Sequence, residues 1–288
     1  MGILRVGFFL GLFAIGAVAT FGQAPAIDPA VGVQNAGNYQ AGAVAPGSFV
    51  AIFGTNFGSS LTQADTIPLS ASPLGGVSVT FNGIAAPMVA VGHDTTPTHD
   101  DQINAQMPWD VLAGGQTGTA QVVVTRNGVS SAPANVSIVP AAPGLMIVGQ
   151  DSAGVLRPVA YNQPDYTLAY PATAFPGGLP ARPAKVNDPN TLVLLATGLG
   201  AVTFTPPNGS PPMQNGQFVE SDTVTKPVVL VGGVPANVVF SGLSPQFPSL
   251  YQLNIILAPG TPVGDAVSIV IQMNGLSSRS DLKIAVSN

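Results

Sequence analysis

Two stretches of the chain carry the same pattern. Val79–Val91 reads VTFNGIAAPMVAV and Val229–Ser241 reads VLVGGVPANVVFS, an offset of 150 residues. Gln102–Pro108 (QINAQMP) and Gln252–Ala258 (QLNIILA) repeat at the same offset, and Arg126–Ser131 (RNGVSS) returns as Met273–Ser278 (MNGLSS) at an offset of 147. Matched order, residue type and spacing mean two copies of one structural unit. In a chain of 288 residues each copy is long enough to enclose its own core.

The unit is all strand. With 34 Gly and 28 Pro, long helices are interrupted throughout. Val77, Val79 and Phe81 alternate with Ser78, Thr80 and Asn82, the period of a half-buried strand. Asn82-Gly83, Asn127-Gly128 and Asn274-Gly275 are two-residue hairpin signals, because a type I′ turn needs positive φ at both central positions. Gly232-Gly233 holds the same place in the second copy. Six or seven short strands per copy predict an all-β chain of two tandem immunoglobulin-like antiparallel β-sandwiches. The first is expected over 31–140 and the second over 143–288, with a Pro-rich irregular insertion at 163–189. Pro140–Pro143 (PAAP) is a short, stiff join. A hairpin is expected around Asp151–Gly154, and the insertion is expected to wrap the junction between the copies.

Arg5 followed by the apolar run Val6–Ala19 and the small-residue pattern Ala17-Val18-Ala19 reads as a secretory signal peptide within 1–22, with Thr20-Phe21-Gly22 as a second cleavage candidate. The run is shorter than the about 20 apolar residues of a membrane span. The mature chain is therefore expected to be secreted, extracellular or held in the cell envelope, with no transmembrane span after cleavage. There is no Cys, which removes disulfides, thiolate catalysis and Cys-based metal sites.

Charged residues make up 7% of the chain, and its eight Lys and Arg stand singly. Nucleic-acid binding needs clustered cations against phosphate, so no nucleic-acid partner is expected. Enzymatic activity is not expected either. No G-x-S-x-G elbow is present, and both histidines lie on one loop. Acidic residues are sparse and Glu220 is the only glutamate.

Two groups of residues carry binding chemistry. The loop His93–Asp101 (HDTTPTHDD) gathers His93, Asp94, His99, Asp100 and Asp101, imidazoles and carboxylates of the kind that ligate divalent metals. No other cofactor is suggested. The bland alternative is a solvated polar loop. Tyr161, Tyr166 and Tyr170 fall within or beside the insertion, and Trp109 follows a strand. Exposed, such rings stack on sugars or anchor a protein partner. Buried, they close a core edge or the junction.

The chain also resembles a known group. VQNAGNYQAGAVAPGSFVAIFGTNFG (Val33–Gly58), QINAQMP (Gln102–Pro108), PGLMIV (Pro143–Val148), ATGLG (Ala196–Gly200) and PPNG (Pro206–Gly209) are similar to the signatures of a C-terminal module of secreted acidobacterial proteins. Each half is similar to IPT/TIG domains, an immunoglobulin-like group. The resemblance implies a secreted, non-catalytic β-sandwich module; two stiffly joined cores with a low-charge, neutral-polar surface add the expectation of a secreted or surface protein-binding or adhesive role, the partner a protein or polysaccharide at the cell envelope. It supplies no catalytic residues.

Overall fold

A computed structural model of the chain describes residues 23–93, 101–112, 117–178 and 180–288. The expected signal peptide lies outside them. Among the described residues every regular element is a β-strand.

Each half builds a pair of sheets in the same strand order. In the first half Phe49–Thr55 pairs antiparallel with Asp101–Gln106, which pairs with Met88–His93. Facing them, Gly118–Arg126 lies between Val77–Phe81 and Ala134–Ile138. In the second half Leu192–Thr197, Tyr251–Ile256 and Asn237–Leu243 form the matching sheet. Gly264–Met273, between Val228–Val231 and Lys283–Ser287, forms its counterpart. Even an irregularity is repeated: register shifts between Met88 and Ala90, and again between Val238 and Phe240. The segment 23–45 joins the first sheet through Ala26–Ile27 and Val33–Asn35, both paired with Phe49–Thr55.

The alternation read from sequence has its physical cause in the two cores. Val50, Ile52 and Ile103 from one sheet meet Val77, Val79, Phe81 and Val122 from the other. In the second half Leu194, Leu253 and Ile255 meet Val229, Val231, Ile269 and Ile271. Burial of each such side chain contributes about 1.5–3 kcal/mol. Val79 and Val229, equivalent in the repeat, occupy equivalent interiors. The Asn-Gly turns are as expected: Asn82, Asn127 and Asn274 have φ of 50°, 49° and 50°, each followed by a glycine of positive φ.

The insertion does not wrap the junction. It closes the second half on itself. Ile147–Gln150 and Leu156–Pro158 form the expected hairpin. Ala184–Lys185 then lies parallel to the last strand, Lys283–Ser287, and Ala160, Ala169 and Ala184 enter the second core. The Pro-rich stretch has too few N–H groups to make a ladder of its own, so it spends those it has on an existing sheet.

The junction is filled by the first half's outer sheet face and loops from both halves. Phe49, Ala51, Phe53 and Leu69 form a third apolar cluster against Phe247 and Leu250. The Phe49 and Phe247 rings lie 5.5 Å apart.

Candidate functional site

The residues that carried the family-like motifs converge on this junction. Asn35 donates from Nδ2 to the Ala142 carbonyl at 2.7 Å while its Oδ1 accepts the Gly37 N–H at 2.7 Å. Asn38 donates to the Pro143 carbonyl at 2.9 Å, and Arg279 donates to the Asn38 carbonyl at 3.0 Å. Asn208 Oδ1 accepts the Trp109 N–H at 2.9 Å and its Nδ2 donates to Asp110 at 3.0 Å. The buried Gln106 side chain accepts the Gly209 N–H. Buried Thr197 joins Phe49 to Ser249. Side-chain amides and hydroxyls suit this task because each pairs with backbone groups that strand edges leave over. The short join is thus one strut among many.

Trp109 belongs to this junction. Its ring packs against the second core and lies over Gly47, whose φ is +73°. A Cβ on Gly47 would come within 2.3 Å of that ring. Beside it is a cavity of about 110 Å³ lined by Pro46, Pro140, Gly200, Ala201 and Thr205. Wedged there, Trp109 is a partly covered junction residue that itself lines the cavity.

The three tyrosines separate. Tyr170 is fully buried, and its hydroxyl donates to the Pro158 carbonyl. Its burial corrects the expectation of a ligand-stacking ring. Burial also drives its pKa up. The Arg157 guanidinium lies 5.6 Å from its ring centroid. Arg157 is itself buried and donates to Asp151 Oδ2 at 2.8 Å and to the Asp265 carbonyl at 2.8 Å. Burial pushes the Asp151 carboxyl up, but the N–H of Val155, the Arg157 guanidinium and the N–H of Ala153 together hold it below the usual carboxylate value. This group pins the base of the insertion.

Tyr161 and Tyr166 remain at the surface. Their rings stack at 5.9 Å with 28° between planes, and Tyr166 is 69% exposed. Tyr166 has φ of +57°, a left-handed conformation that costs a non-glycine residue about 1–2 kcal/mol. Asp165, beside it, accepts from Arg182 Nε at 2.7 Å and from Thr167. The Arg182 hydrogen bond holds its carboxyl down at about 2.

Of the loop read as a metal-ligand set, His93 and Asp101 are described. Asp94, His99 and Asp100 lie outside the described residues. His93 Nδ1 sits 2.8 Å from Asp101 Oδ1, and Asp101 Oδ2 accepts the Phe57 N–H. Asp101 is buried while His93 is exposed. Among the described residues no three His, Asp or Glu are gathered for a metal ion.

The comparisons with known proteins are sparse. No family model matches the chain, and no curated protein sequence matches it. Among solved structures it is similar to a plexin A4 full extracellular region, with 13% identity over 91% of this chain and a TM-score of 0.26. It spans 18% of the length of that chain. No helix among the described residues is long and apolar enough to cross a membrane.

Proposed function

We propose that the chain is a non-catalytic extracellular interaction module made of two tandem immunoglobulin-like sandwiches, at 31–140 and 143–288, exported by the leader within 1–22. One observation carries this reading: polar side chains from both halves are spent on bonds across the junction. Asn35, Thr197, Asn208 and Arg279 fix two sheet pairs in one body. Rigidity of that kind serves presentation of outer loops and edges at a set separation, with little ordering cost on binding. The partner class is a protein at the cell envelope.

Fractionation of cells expressing the full chain, with intact-mass analysis, tests it. The expected result is a chain outside the cytoplasm, lacking its first residues, that captures an envelope protein. A chain retained in the cytoplasm at full mass overturns it.

A second reading, carbohydrate binding, rests on exposed Tyr166 stacked on half-buried Tyr161. Glycan-array binding abolished by Tyr166→Ala separates it from the first. The His93–Asp101 loop as a metal site is a lesser alternative, decided by elemental analysis of the purified chain.

A further inference from the structure

The two halves treat equivalent sheet edges differently. In the second half the outer edge of Lys283–Ser287 is covered. The Lys283 carbonyl accepts from Arg157 at 3.3 Å, the Ala285 N–H donates to the Ala169 carbonyl at 2.8 Å, and the Ser287 carbonyl accepts the Val186 N–H at 2.9 Å. Ala184 pairs in parallel with Val286.

The matching edge of the first half is Ala134–Ile138, where Val44 pairs in parallel with Ile138 as Ala184 does with Val286. Val44 donates to the Ser137 carbonyl and accepts the Val139 N–H, both at 3.0 Å. There the cover stops. Gln121, opposite Asn135, gives its carbonyl to Asn82 on the strand's other side. Asn135 and Ser137 therefore turn their backbone groups away from the sheet. Among the described residues the Ser137 N–H and both backbone groups of Asn135 have no hydrogen-bond partner. They face a groove of about 710 Å³ between this edge and the segment Ala26–Val33. Its wall beside the edge is Ala41, Gly42 and Ala43. Asp28, its one ionisable lining residue, turns its carboxylate onto the N–H groups of Ala30 and Val31.

We infer that this groove is a strand-addition site for an extended, uncharged, small-residue segment of another polypeptide, which lies on Ala134–Ile138 as Ala169 and residues 184–186 lie on Lys283–Ser287. The inference rests on the interaction-module reading and names the kind of partner. The chain itself shows what fits: two small residues, Ala169 at a bend and Ala184 in the short strand Ala184–Lys185, occupy the equivalent edge in the second half. Backbone pairing supplies affinity, and the Ala-Gly-Ala wall selects small side chains. Asp28 is the one charge on the lining and its carboxylate is held by N–H groups of its own segment, so nothing there calls for a charged partner.

The test is selection of random twelve-residue displayed peptides on the full chain, followed by amide hydrogen exchange and calorimetry with one selected peptide. The expected peptide is neutral and rich in Ala, Gly or Pro, and it slows exchange at Ser137 and Asn135 at least tenfold. Asn135→Pro removes a donor that no strand uses, which an edge tolerates, and it lowers affinity at least tenfold. Asn135→Ala keeps the backbone and the affinity. Exchange in the unsubstituted chain decides the matter even if the proline variant misfolds. Peptides that bind and leave Ser137 exchanging freely overturn the edge site while the module reading stands. Failure to select any peptide, with an envelope partner still captured elsewhere on the chain, overturns it as well.

Discussion

Thr197 Oγ1 accepts the amide hydrogen of Phe49 at 2.8 Å, across the boundary between the two halves, from a fully buried position. The same hydroxyl donates to the Ser249 carbonyl at 2.9 Å. Thr197→Val keeps the shape and strands both partners. Two buried backbone groups left unpaired cost about 2–6 kcal/mol. Urea unfolding is expected to show a lower midpoint with one transition. A midpoint equal to that of the parent chain would refute the junction as a stabilising contact.

Trp109 is the sole tryptophan, so its emission reports on the junction alone. Gly47→Ala places a methyl group against its ring and forces a left-handed alanine. The backbone term alone is about 1–2 kcal/mol. The expected outcome is a red shift of emission and a lower melting midpoint, since the ring is pushed toward solvent. Unchanged emission would mean that Trp109 does not rest on Gly47.

Asp151 gives the chain an acid sensitivity of defined sign. Its folded pKa lies below the unfolded value. The stabilisation is therefore complete above the unfolded pKa, about 3.9, and is lost as pH falls through the folded value. Asp151→Asn should flatten the decline of stability as pH falls below about 4. At pH 7 it should also cost about 3–5 kcal/mol, because Arg157 is left buried without its counter-charge. Chemical denaturation across that range measures both.

Tyr166 and Tyr170 should respond in opposite ways. Tyr170→Phe orphans the Pro158 carbonyl and should lower stability by about 1–3 kcal/mol. Tyr166→Gly relieves a left-handed tyrosine and should leave stability level or raise it by up to about 1 kcal/mol. Loss of stability on Tyr166→Gly would show that the stack with Tyr161 is a packing contact. Loss of glycan binding without loss of stability would mark a functional ring.

Asp101→Ala removes the acceptor of the Phe57 N–H and the partner of His93. A buried N–H left orphaned costs about 1–3 kcal/mol. If the loop holds a metal, chelator should lower the melting midpoint of the parent chain and leave that of Asp101→Ala unchanged. An identical response of the two chains ends the metal reading.

Much of the strand pattern was legible because period-two alternation and Asn-Gly turns are local, and local signals survive in a sequence. The match between Val79 and Val229 followed from the repeat alone. The junction was not legible in the same way. Asn35, Thr197 and Asn208 look like turn residues, and their partners lie 107, 148 and 99 positions away. Nothing in a window of ten residues reports such a bond. Their membership of the family-like motifs was the available signal. The insertion misled for a related reason: prolines announce irregularity without saying which edge their neighbours will complete. Tyr170 and Tyr166 are indistinguishable as letters, and it is the Pro158 carbonyl and the buried Arg157 beside Tyr170, distant choices of the fold, that tell them apart.

The interlocked boundary has a consequence for how such a chain can be handled. Severing it between Pro140 and Pro143 would bare Phe49, Leu69 and Phe247 and leave Asn35 without the Ala142 carbonyl. Each fragment would lose the packing it has at the junction. A recombinant fusion must carry both copies, and a partial deletion is expected to yield aggregates in place of a smaller working piece.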